Sequence, residues 1–324
     1  MPPRFLIVLN PAARGGRNRH LRPALDAALR DAGLDAEVVE TAGPGDAERL
    51  ARAASPERVV TVAGGDGTVH EVVNGLAEGG AALAVLPLGT GNDFVRALGV
   101  PARLADALAA LASARPVPVD LGEVRWEEAG GGAVRERRFA NCLGMGFDAH
   151  AAHLAGETKW IGGRAAYLAA VLRTLWAWRR PPVHVRVAVE SALVPAGAAG
   201  RADEEPDALA LDGPLFLCEV GNGPSIGGGF LVTPDARPDD GLLDVCLVRH
   251  VPPGRALRLL PQTFTGAHVG APEVSMLRTP RLAVGVEAGA LALQADGETV
   301  TFGARRVEVR VLPGAVRALA PGLA

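Results

Sequence analysis

Two glycine-rich loops that also carry aspartate are the segments of this sequence best suited to chemistry. The first, from Gly64 to Thr68 (GGDGT), follows the apolar run Val59–Ala63, and a helical pattern begins at Val69. Glycines let the backbone approach a phosphate closely, and the N–H groups and dipole of a helix N-terminus favour an anion. The negative charge of Asp66 would repel a phosphate unless a cation lay between them, which makes Asp66 a candidate magnesium ligand. A tight turn with Asp66 as a helix cap is the alternative.

A second loop of this kind runs from Gly89 to Asp93 (GTGND) and follows the apolar run Leu83–Leu86. In open parallel sheets, ligands bind beyond the carboxyl ends of the strands, so we expect Asp66 and Asp93 to converge on one site. A third segment, Asn10 to Gly16, follows the first apolar run and should lie along the same edge.

The motifs that are missing narrow the nucleotide chemistry. Lys159 is the only lysine and Thr158 precedes it, so the sequence contains no G-K-[ST] and a P-loop NTPase is excluded. H-R-D and D-F-G are also absent from the sequence, which excludes the protein-kinase arrangement. No G-x-G-x-x-G follows the first apolar run, which disfavours a Rossmann dehydrogenase. The phosphates must therefore be held by glycine loops and by carboxylates that bind magnesium.

The first third of the chain alternates short apolar runs with helical patterns. Such alternation predicts a parallel, doubly wound α/β sheet with helices on its faces. The predicted strands are Phe5–Leu9, Ala36–Glu40, Arg58–Val62 and Leu83–Leu86.

The pattern changes after Asp120-Leu121-Gly122. Apolar residues then alternate with others from Val183 to Val189, which predicts an antiparallel sheet with one buried face. Further strands are predicted at Leu215–Val220, Leu242–Val248, Leu282–Val286 and Val307–Val311. One helix is expected at about Gly163–Trp178, and Glu127–Ala133 and Pro195–Pro214 are predicted to be exposed hairpin loops. We expect a nucleotide-binding domain of residues 1–121, joined by a returning segment of about 306–324, and a mainly β domain of residues 122–305.

Composition and charge limit the classes of partner that the protein can bind and the cellular compartment in which we expect it. The 324 residues are 48% hydrophobic and 21% charged, with a formal net charge of −3, which predicts a globular protein that does not bind nucleic acid. Three widely spaced cysteines suggest neither disulfides nor a zinc site, and the N-terminal apolar run is too short for a signal peptide. Tyr167–Trp178 is shorter than the roughly 20 residues of a spanning helix. We expect a cytoplasmic protein without a transmembrane segment.

At this point the motifs resemble those of a known family. The two glycine loops are similar to the catalytic domain shared by diacylglycerol kinases, sphingosine kinases and their bacterial lipid-kinase relatives, and the likeness covers nearly the whole chain. Further segments match in order: Asn141–Ala149, then Asn222-Gly223, Gly227-Gly228-Gly229 and Pro234–Val245 with Asp239-Asp240-Gly241 inside it, and finally Asp296-Gly297-Glu298. The resemblance implies an N-terminal domain like that of NAD kinases and phosphofructokinases, and a C-terminal antiparallel β-sandwich.

The resemblance also implies roles for individual residues. Asp66, Asp93 and Asp120 would form a network of aspartates, water and magnesium, and Glu298 would accept the proton of the substrate hydroxyl. Asp240 would bind a structural magnesium with the carbonyls of Arg237 and Leu242. The ATP site would be lined by Asn10, Pro11, Ala12, Ala13, Arg14, Thr41, Gly64, Gly65, Asp66, Gly67, Thr68 and Thr90.

Some positions keep two interpretations. Asp296-Gly297 is a strong turn signal, and Asp239-Asp240-Gly241 suits either a metal site or a solvated turn. His70 stands where the family usually has asparagine, and the role of Asp148 is open.

The implied function is an ATP- and Mg²⁺-dependent lipid kinase of phospholipid metabolism, which phosphorylates a lipid such as diacylglycerol at a membrane surface. An NAD kinase and a non-catalytic nucleotide or lipid sensor are the alternatives. Trp176, Trp178, Arg179 and Arg180 suit either peripheral contact with the inner face of the membrane or the charged end of a core helix. The sequence leaves open which lipid is the acceptor and whether the protein forms a homodimer.

Overall fold

A computed structural model describes residues 4–157, 164–178, 183–190 and 208–323. Lys159 with Thr158, the pair Arg179-Arg180 and the first part of the predicted loop Pro195–Pro214 lie outside the described residues.

The described residues form one connected sheet of fourteen strands with eight α-helices around it. The strands are β1 (Arg4–Leu9), β2 (Ala36–Glu40), β3 (Arg58–Gly64), β4 (Ala82–Pro87), β5 (Pro116–Glu128), β6 (Arg135–Phe139), β7 (Cys142–Gly146), β8 (Val183–Val189), β9 (Ala208–Gly221), β10 (Leu243–Arg249), β11 (Val274–Thr279), β12 (Arg281–Ala288), β13 (Leu291–Ala295) and β14 (Glu298–Leu319). The helices are α1 (Arg22–Asp31), α2 (Asp46–Arg52), α3 (Asp66–Gly79), α4 (Asp93–Ala97), α5 (Leu104–Ser113), α6 (Phe147–Glu157), α7 (Arg164–Ala177) and α8 (Pro253–Leu259).

Parallel pairing brings the predicted loops to one edge of the sheet. β1 pairs in parallel with both β2 and β3, and β3 pairs in parallel with β4. Every residue of β3 after Arg58 is buried, as expected for a parallel strand covered on both faces. The segments that follow Leu9, Gly64 and Pro87 therefore emerge side by side.

The rest of the sheet is antiparallel and connects back to the parallel strands through β14. This strand pairs with β5 over most of its length, and Ala318 near its end lies beside Leu83 of β4 in parallel register. Val316, Ala318 and Leu319 consequently pack in the core of the parallel strands. A second core lies among the antiparallel strands, and a third joins β9 and β10 to α6, α7 and α8.

The prediction of a loop at Pro195–Pro214 was wrong for its last part, because Ala208–Pro214 belongs to β9. This stretch includes Gly213-Pro214, whose residue types are typical of loops, but β8 pairs with it from Ala208 to Leu215. Tertiary pairing thus overrides a weak local preference. None of the helices in the described part of the chain is both long and apolar enough to cross a bilayer.

Candidate active site

A cleft of about 990 Å³ lies at the carboxyl edge of the parallel strands. The antiparallel part of the sheet closes its other side through residues such as Asn141, Asp148 and Gly228. The structure brings most predicted site residues to this cleft: Asn10, Pro11, Ala12, Ala13, Arg14, Thr41, Gly65, Asp66, Gly67, Thr68, Thr90, Asp93 and Glu298. Gly64 and Asp120 are not among the lining residues.

The first glycine loop is held by contacts among its own residues and with the Asn10 segment. Thr68 lies in the first turn of α3, and its side chain covers Gly64 so closely that a Cβ at Gly64 would sit 2.5 Å from Oγ1. Asn10 Nδ2 donates to the same Oγ1 at 2.9 Å. Gly64 is therefore a packing position below the cleft, whereas the start of α3 from Asp66 to Thr68 lines the cleft, as a helix N-terminus that binds an anion would.

Asp66 and Asp93 converge above Gly91. A Cβ built on Gly91 would lie 2.5 Å from Asp66 Oδ2 and 3.2 Å from Asp93 Oδ2, so only glycine leaves room for both carboxylates. Burial, together with the negative charges of Asp93 and Asp296, raises the pKa of Asp66 to about 7. A half-buried carboxylate with excess negative charge around it fits a divalent cation.

Magnesium needs few protein ligands here. Among the described residues no three His, Cys, Asp or Glu side chains are arranged to hold a metal ion. Mg²⁺ in kinases is commonly held by one or two carboxylates, substrate phosphates and water, so Asp66 suffices on the protein side.

Asp93 has a different environment from Asp66. Its Oδ1 accepts hydrogen bonds from Arg96 and from Ser225 Oγ (2.6 Å), and its Oδ2 accepts the Gly228 N–H at 2.7 Å. Ser225 and Gly228 belong to the loop after β9, more than 130 residues away in the sequence. Asp93 therefore joins the two halves of the cleft, and Arg96 neutralises its charge.

Glu298 stands at the end of a tight hairpin between β13 and β14. Ala295 and Glu298 are paired, and the two residues between them, Asp296 (φ 51°) and Gly297 (φ 85°), are both left-handed, as in a type I′ turn. The turn interpretation of this motif is confirmed, and the turn aims Glu298 into the cleft. A Cβ at Gly67 would lie 2.7 Å from Glu298 Oε1, so the carboxylate lies over the first turn of α3.

Asp120 lies with the Asp239-Asp240 segment, outside the cleft. Its carboxylate accepts the N–H groups of Gly241 (2.8 Å) and Gly314 (2.7 Å). The structure therefore does not bring Asp120 to Asp66 and Asp93. Burial raises the pKa of Asp120, and these two hydrogen bonds oppose that shift.

The predicted metal site at Asp240 contains an arginine. Arg278 forms an ion pair with Asp240 and lies 3.4 Å from Asp244 Oδ2. Arg237 pairs with Asp239, while the Leu242 N–H donates to Asp240 at 3.1 Å. Arg278 thus supplies the positive charge that a cation would bring, so the side chains as arranged do not fit an ion without movement of Arg278.

Asp148, Tyr167 and Gln294 form a polar cluster in the inner wall of the cleft. Asp148 accepts hydrogen bonds from the Tyr167 hydroxyl and from Gln294 Nε2 (2.7 Å). Glu219 lies behind this cluster, fully buried: a Cβ at Gly144 would be 2.6 Å from Gln294 Nε2 and 2.9 Å from Glu219 Oε2. Neither Glu219 oxygen has a hydrogen-bond partner of normal geometry in the described chain. Burial, followed by the Asp148 charge, raises the pKa of Glu219 well above its ordinary value.

Glu219→Gln should stabilise the protein at high pH. The unfolded chain ionises Glu219 near pH 4.3, about the ordinary value, whereas the folded protein holds the proton to higher pH. The folded state binds more protons in this window, so the free energy of unfolding falls as pH rises, by at most about 1.4 kcal/mol per pH unit. We expect a gain of about 1–3 kcal/mol at pH 8 and little change at pH 5, measured by urea denaturation. Exposed Glu136→Gln is the control, and an equal effect at both pH values would contradict the assignment.

An apolar cavity of about 100 Å³ adjoins the polar cluster. It lies between α7, α8 and the sheet, and it shares Asp148, Tyr167 and Ile226 with the cleft. Its other walls are formed almost entirely by apolar side chains, including Phe147, Val171, Leu175, Phe216, Phe230, Val232, Val248, Ala256 and Leu259.

Comparisons with known proteins agree with this arrangement. Residues 4–124 match the model of the diacylglycerol kinase catalytic domain, and residues 141–320 match the model of the YegS C-terminal NAD kinase beta sandwich-like domain. The chain belongs to the diacylglycerol kinase family. This membership confirms the resemblance of the sequence motifs, and it identifies the second half of the fold as the β-sandwich-like domain of the family.

Individual members of the family are similar over most of their length. A Pseudomonas aeruginosa protein named "Probable lipid kinase YegS-like" is 35% identical over 98% of this chain and 94% of its own length. The diacylglycerol kinase of Mycobacterium tuberculosis is 30% identical over 91% of this chain and 88% of its own length. The crystal structure of a diacylglycerol kinase from Bacillus anthracis covers 98% of this chain and 97% of its own, with TM-score 0.65 and 22% identity, and so shows a shared fold.

The sequence motifs did not reveal several residues that line the cleft or support it from behind. Ser225 and Gly228 fall in or beside a matched motif, but only the structure gives them a contact with Asp93. Glu219 belongs to no motif, and it lies within the apolar part of β9. A charged residue in such a strand is itself the signal that could have drawn attention to it.

Proposed function

We propose that this protein is an ATP-dependent lipid kinase that transfers the γ-phosphoryl group of ATP to the hydroxyl of a lipid such as diacylglycerol. The observation that carries the proposal is the continuity of a glycine-loop cleft, which contains Asp66 and Glu298, with an apolar cavity that shares Asp148 and Tyr167. The glycine-loop end of the cleft suits a polyphosphate, and the apolar cavity suits the hydrocarbon of a lipid.

The nucleotide would lie along the loops after β1, β3 and β4. Backbone amides at the start of α3 would hold phosphate oxygens, and Asp66 would hold Mg²⁺ against them. When bound, the cation neutralises the charge of the phosphates, and charge neutralisation with positioning supplies most of the catalysis in phosphoryl transfer. Asp93 positions the second glycine loop through Ser225 and Gly228.

The acceptor hydroxyl would enter between α3 and the β13–β14 turn. Glu298 is the carboxylate placed over the first turn of α3, and within about 3 Å of the hydroxyl it would orient the alcohol and accept its proton as the bond to phosphorus forms. Asp148, with Tyr167 and Gln294, would bind polar groups of the lipid at the entrance to the apolar cavity.

The membrane would supply the acceptor, with the protein bound at its surface from the cytoplasm. Trp176 on α7 is 85% exposed beside the helix face that lines the apolar cavity, and an exposed tryptophan suits a bilayer interface. Trp178 instead packs against Phe147, with ring centroids 5.2 Å apart. A cation at Asp240, with the carbonyls of Arg237 and Leu242, stays a prediction: it would require Arg278 to move away from Asp240, and it would have no part in transfer.

The direct test is transfer of labelled phosphate from [γ-³²P]ATP with Mg²⁺ to dispersed diacylglycerol, other long-chain alcohols or NAD. The proposal expects label in a lipid. Label in NAD alone would identify an NAD kinase, and tight nucleotide binding without transfer to any acceptor would identify a sensor.

Ala256→Leu should weaken the use of long-chain lipids. Ala256 lies on α8 and lines the apolar cavity, so three added carbons would fill space that an acyl chain needs. We expect KM for a long-chain diacylglycerol to rise about fivefold or more, which corresponds to about 1 kcal/mol, while KM for ATP stays unchanged. Ala109→Leu on the exposed face of α5 is the matched control. An unchanged lipid KM in a folded variant would remove the cavity from the acceptor site.

A further inference from the structure

His70 connects the two parts of the cleft through a buried chain of hydrogen bonds. It lies one turn into α3, and its side chain is 6% exposed. Its Nδ1 lies 3.0 Å from Asp296 Oδ2 in the β13–β14 turn, and Arg137 Nε on β6 lies 3.2 Å from its Nε2. This series of hydrogen bonds ends at Arg137, which lines the cleft and forms an ion pair with Glu48 of α2 at 3.0 Å.

The hydrogen-bond partners of His70 determine which nitrogen of its imidazole ring carries the proton. An arginine Nε–H can only donate, so His70 Nε2 must accept and carries no proton. The proton of the neutral ring is therefore on Nδ1 and is donated to Asp296. Each nitrogen of His70 thus has one defined partner.

Asp296 is the anchor of the turn that presents Glu298. Its Oδ1 accepts the N–H groups of Asn141 (2.8 Å) and Cys142 (3.1 Å), and its Oδ2 accepts that of Ala140 (2.9 Å). These three bonds attach the turn to the β6–β7 connection. The bond from His70 attaches the turn to α3, the helix that follows the first glycine loop.

We propose that His70 is a positioning residue, which holds the turn that carries Glu298 in register with the glycine loop by donating from Nδ1 to Asp296. The proposal rests on the proposed role of Glu298 as the base. The Nε2 contact with Arg137 selects the tautomer that can donate. A displacement of about 1 Å at a reacting group can cost about a hundredfold in rate, so loss of this bond should act on turnover.

Two substitutions separate the contacts of His70. An asparagine amide reaches about as far as histidine Nδ1, so His70→Asn can still donate to Asp296 but cannot reach Arg137. A glutamine amide reaches about as far as Nε2, so His70→Gln can accept from Arg137 and loses the bond to Asp296. We expect His70→Asn to keep kcat within about threefold and His70→Gln to lower it about tenfold or more, with KM for ATP unchanged in both.

The controls separate positioning from stability. His184→Asn, an exposed position on β8, is the matched variant, and thermal unfolding is measured for all three proteins. Equal losses of kcat in His70→Asn and His70→Gln, or normal turnover by His70→Gln, would overturn the proposal.

A second measurement is independent of activity. Imidazole ¹⁵N shifts of His70 in the labelled wild-type protein, assigned through the backbone, should show a proton on Nδ1 and none on Nε2. A proton on Nε2 would overturn the proposal. Absence of lipid phosphorylation by the wild type would count against the proposed function instead, and the ring shifts would still decide whether the linkage exists.

Discussion

Asp66→Asn is expected to lower the rate of phosphoryl transfer about a thousandfold or more. Asparagine keeps the shape of the side chain and the oxygen that accepts the Asp93 N–H, but it removes the charge that would hold Mg²⁺. Since charge neutralisation supplies most of the catalysis in phosphoryl transfer, the effect should fall on kcat and on the Mg²⁺ requirement together. The measurement is the steady-state rate with diacylglycerol across a range of Mg²⁺ concentrations.

The same substitution, Asp66→Asn, should leave the stability of the folded protein unchanged or raise it. The pKa of Asp66 is raised to about 7 in the folded protein, above the unfolded value of about 3.9. The folded state therefore binds the proton more tightly, and keeping the carboxylate costs free energy of folding as pH rises from about 4 to 7. Asp66→Asn removes that cost, so it should unfold at an equal or higher temperature than the wild type at pH 8 in EDTA.

Exposed Asp106→Asn on α5 controls for the loss of one negative charge from the protein. Normal turnover by folded Asp66→Asn would refute the assigned role. Loss of activity together with loss of the folded state would assign Asp66 to stability rather than to the metal.

Glu298→Gln is expected to lower kcat about a hundredfold to ten-thousandfold, the range typical of a positioned general base. Glutamine has the size of glutamate and can still contact the hydroxyl, but it cannot accept the proton. The side chain is exposed in the cleft and takes no part in a core, so the fold should be retained. KM for ATP should change little, because the backbone amides of α3 stay in place.

Glu127→Gln, an exposed position on β5, is the matched control. A kcat for Glu298→Gln within about threefold of the wild type would show that the alcohol loses its proton without this carboxylate. That result would leave the nucleotide site intact and change only the proposed chemistry at the acceptor.

The convergence of the glycine loops could be predicted because it depends on local signals. Apolar strands that end in GGDGT and GTGND place both loops at one edge of the sheet once the strands are parallel, and in the structure the Asp66 and Asp93 carboxylates both lie beside Gly91. The turn before Glu298 was one of two interpretations of Asp296-Gly297, because Asp-Gly is a strong turn signal, and both residues are left-handed in the structure.

The role of each aspartate could not be predicted from its loop. Asp93 is bound by Ser225 and Gly228, and Asp120 by Gly241 and Gly314, all of them distant in the sequence. These partners meet only after the antiparallel strands have paired. A motif fixes where a carboxylate emerges, whereas long-range contacts decide whether its charge is free for a ligand.

The central claim is that Asp66 holds a divalent cation against the triphosphate of ATP. Its most direct test is a crystal structure with Mn²⁺ and a non-hydrolysable ATP analogue, in which anomalous scattering locates the ion. We predict an anomalous peak within about 2.3 Å of an Asp66 carboxylate oxygen, with the triphosphate along the start of α3. A nucleotide bound elsewhere, or an ion in the cleft with Asp66 turned away from it, would contradict the account.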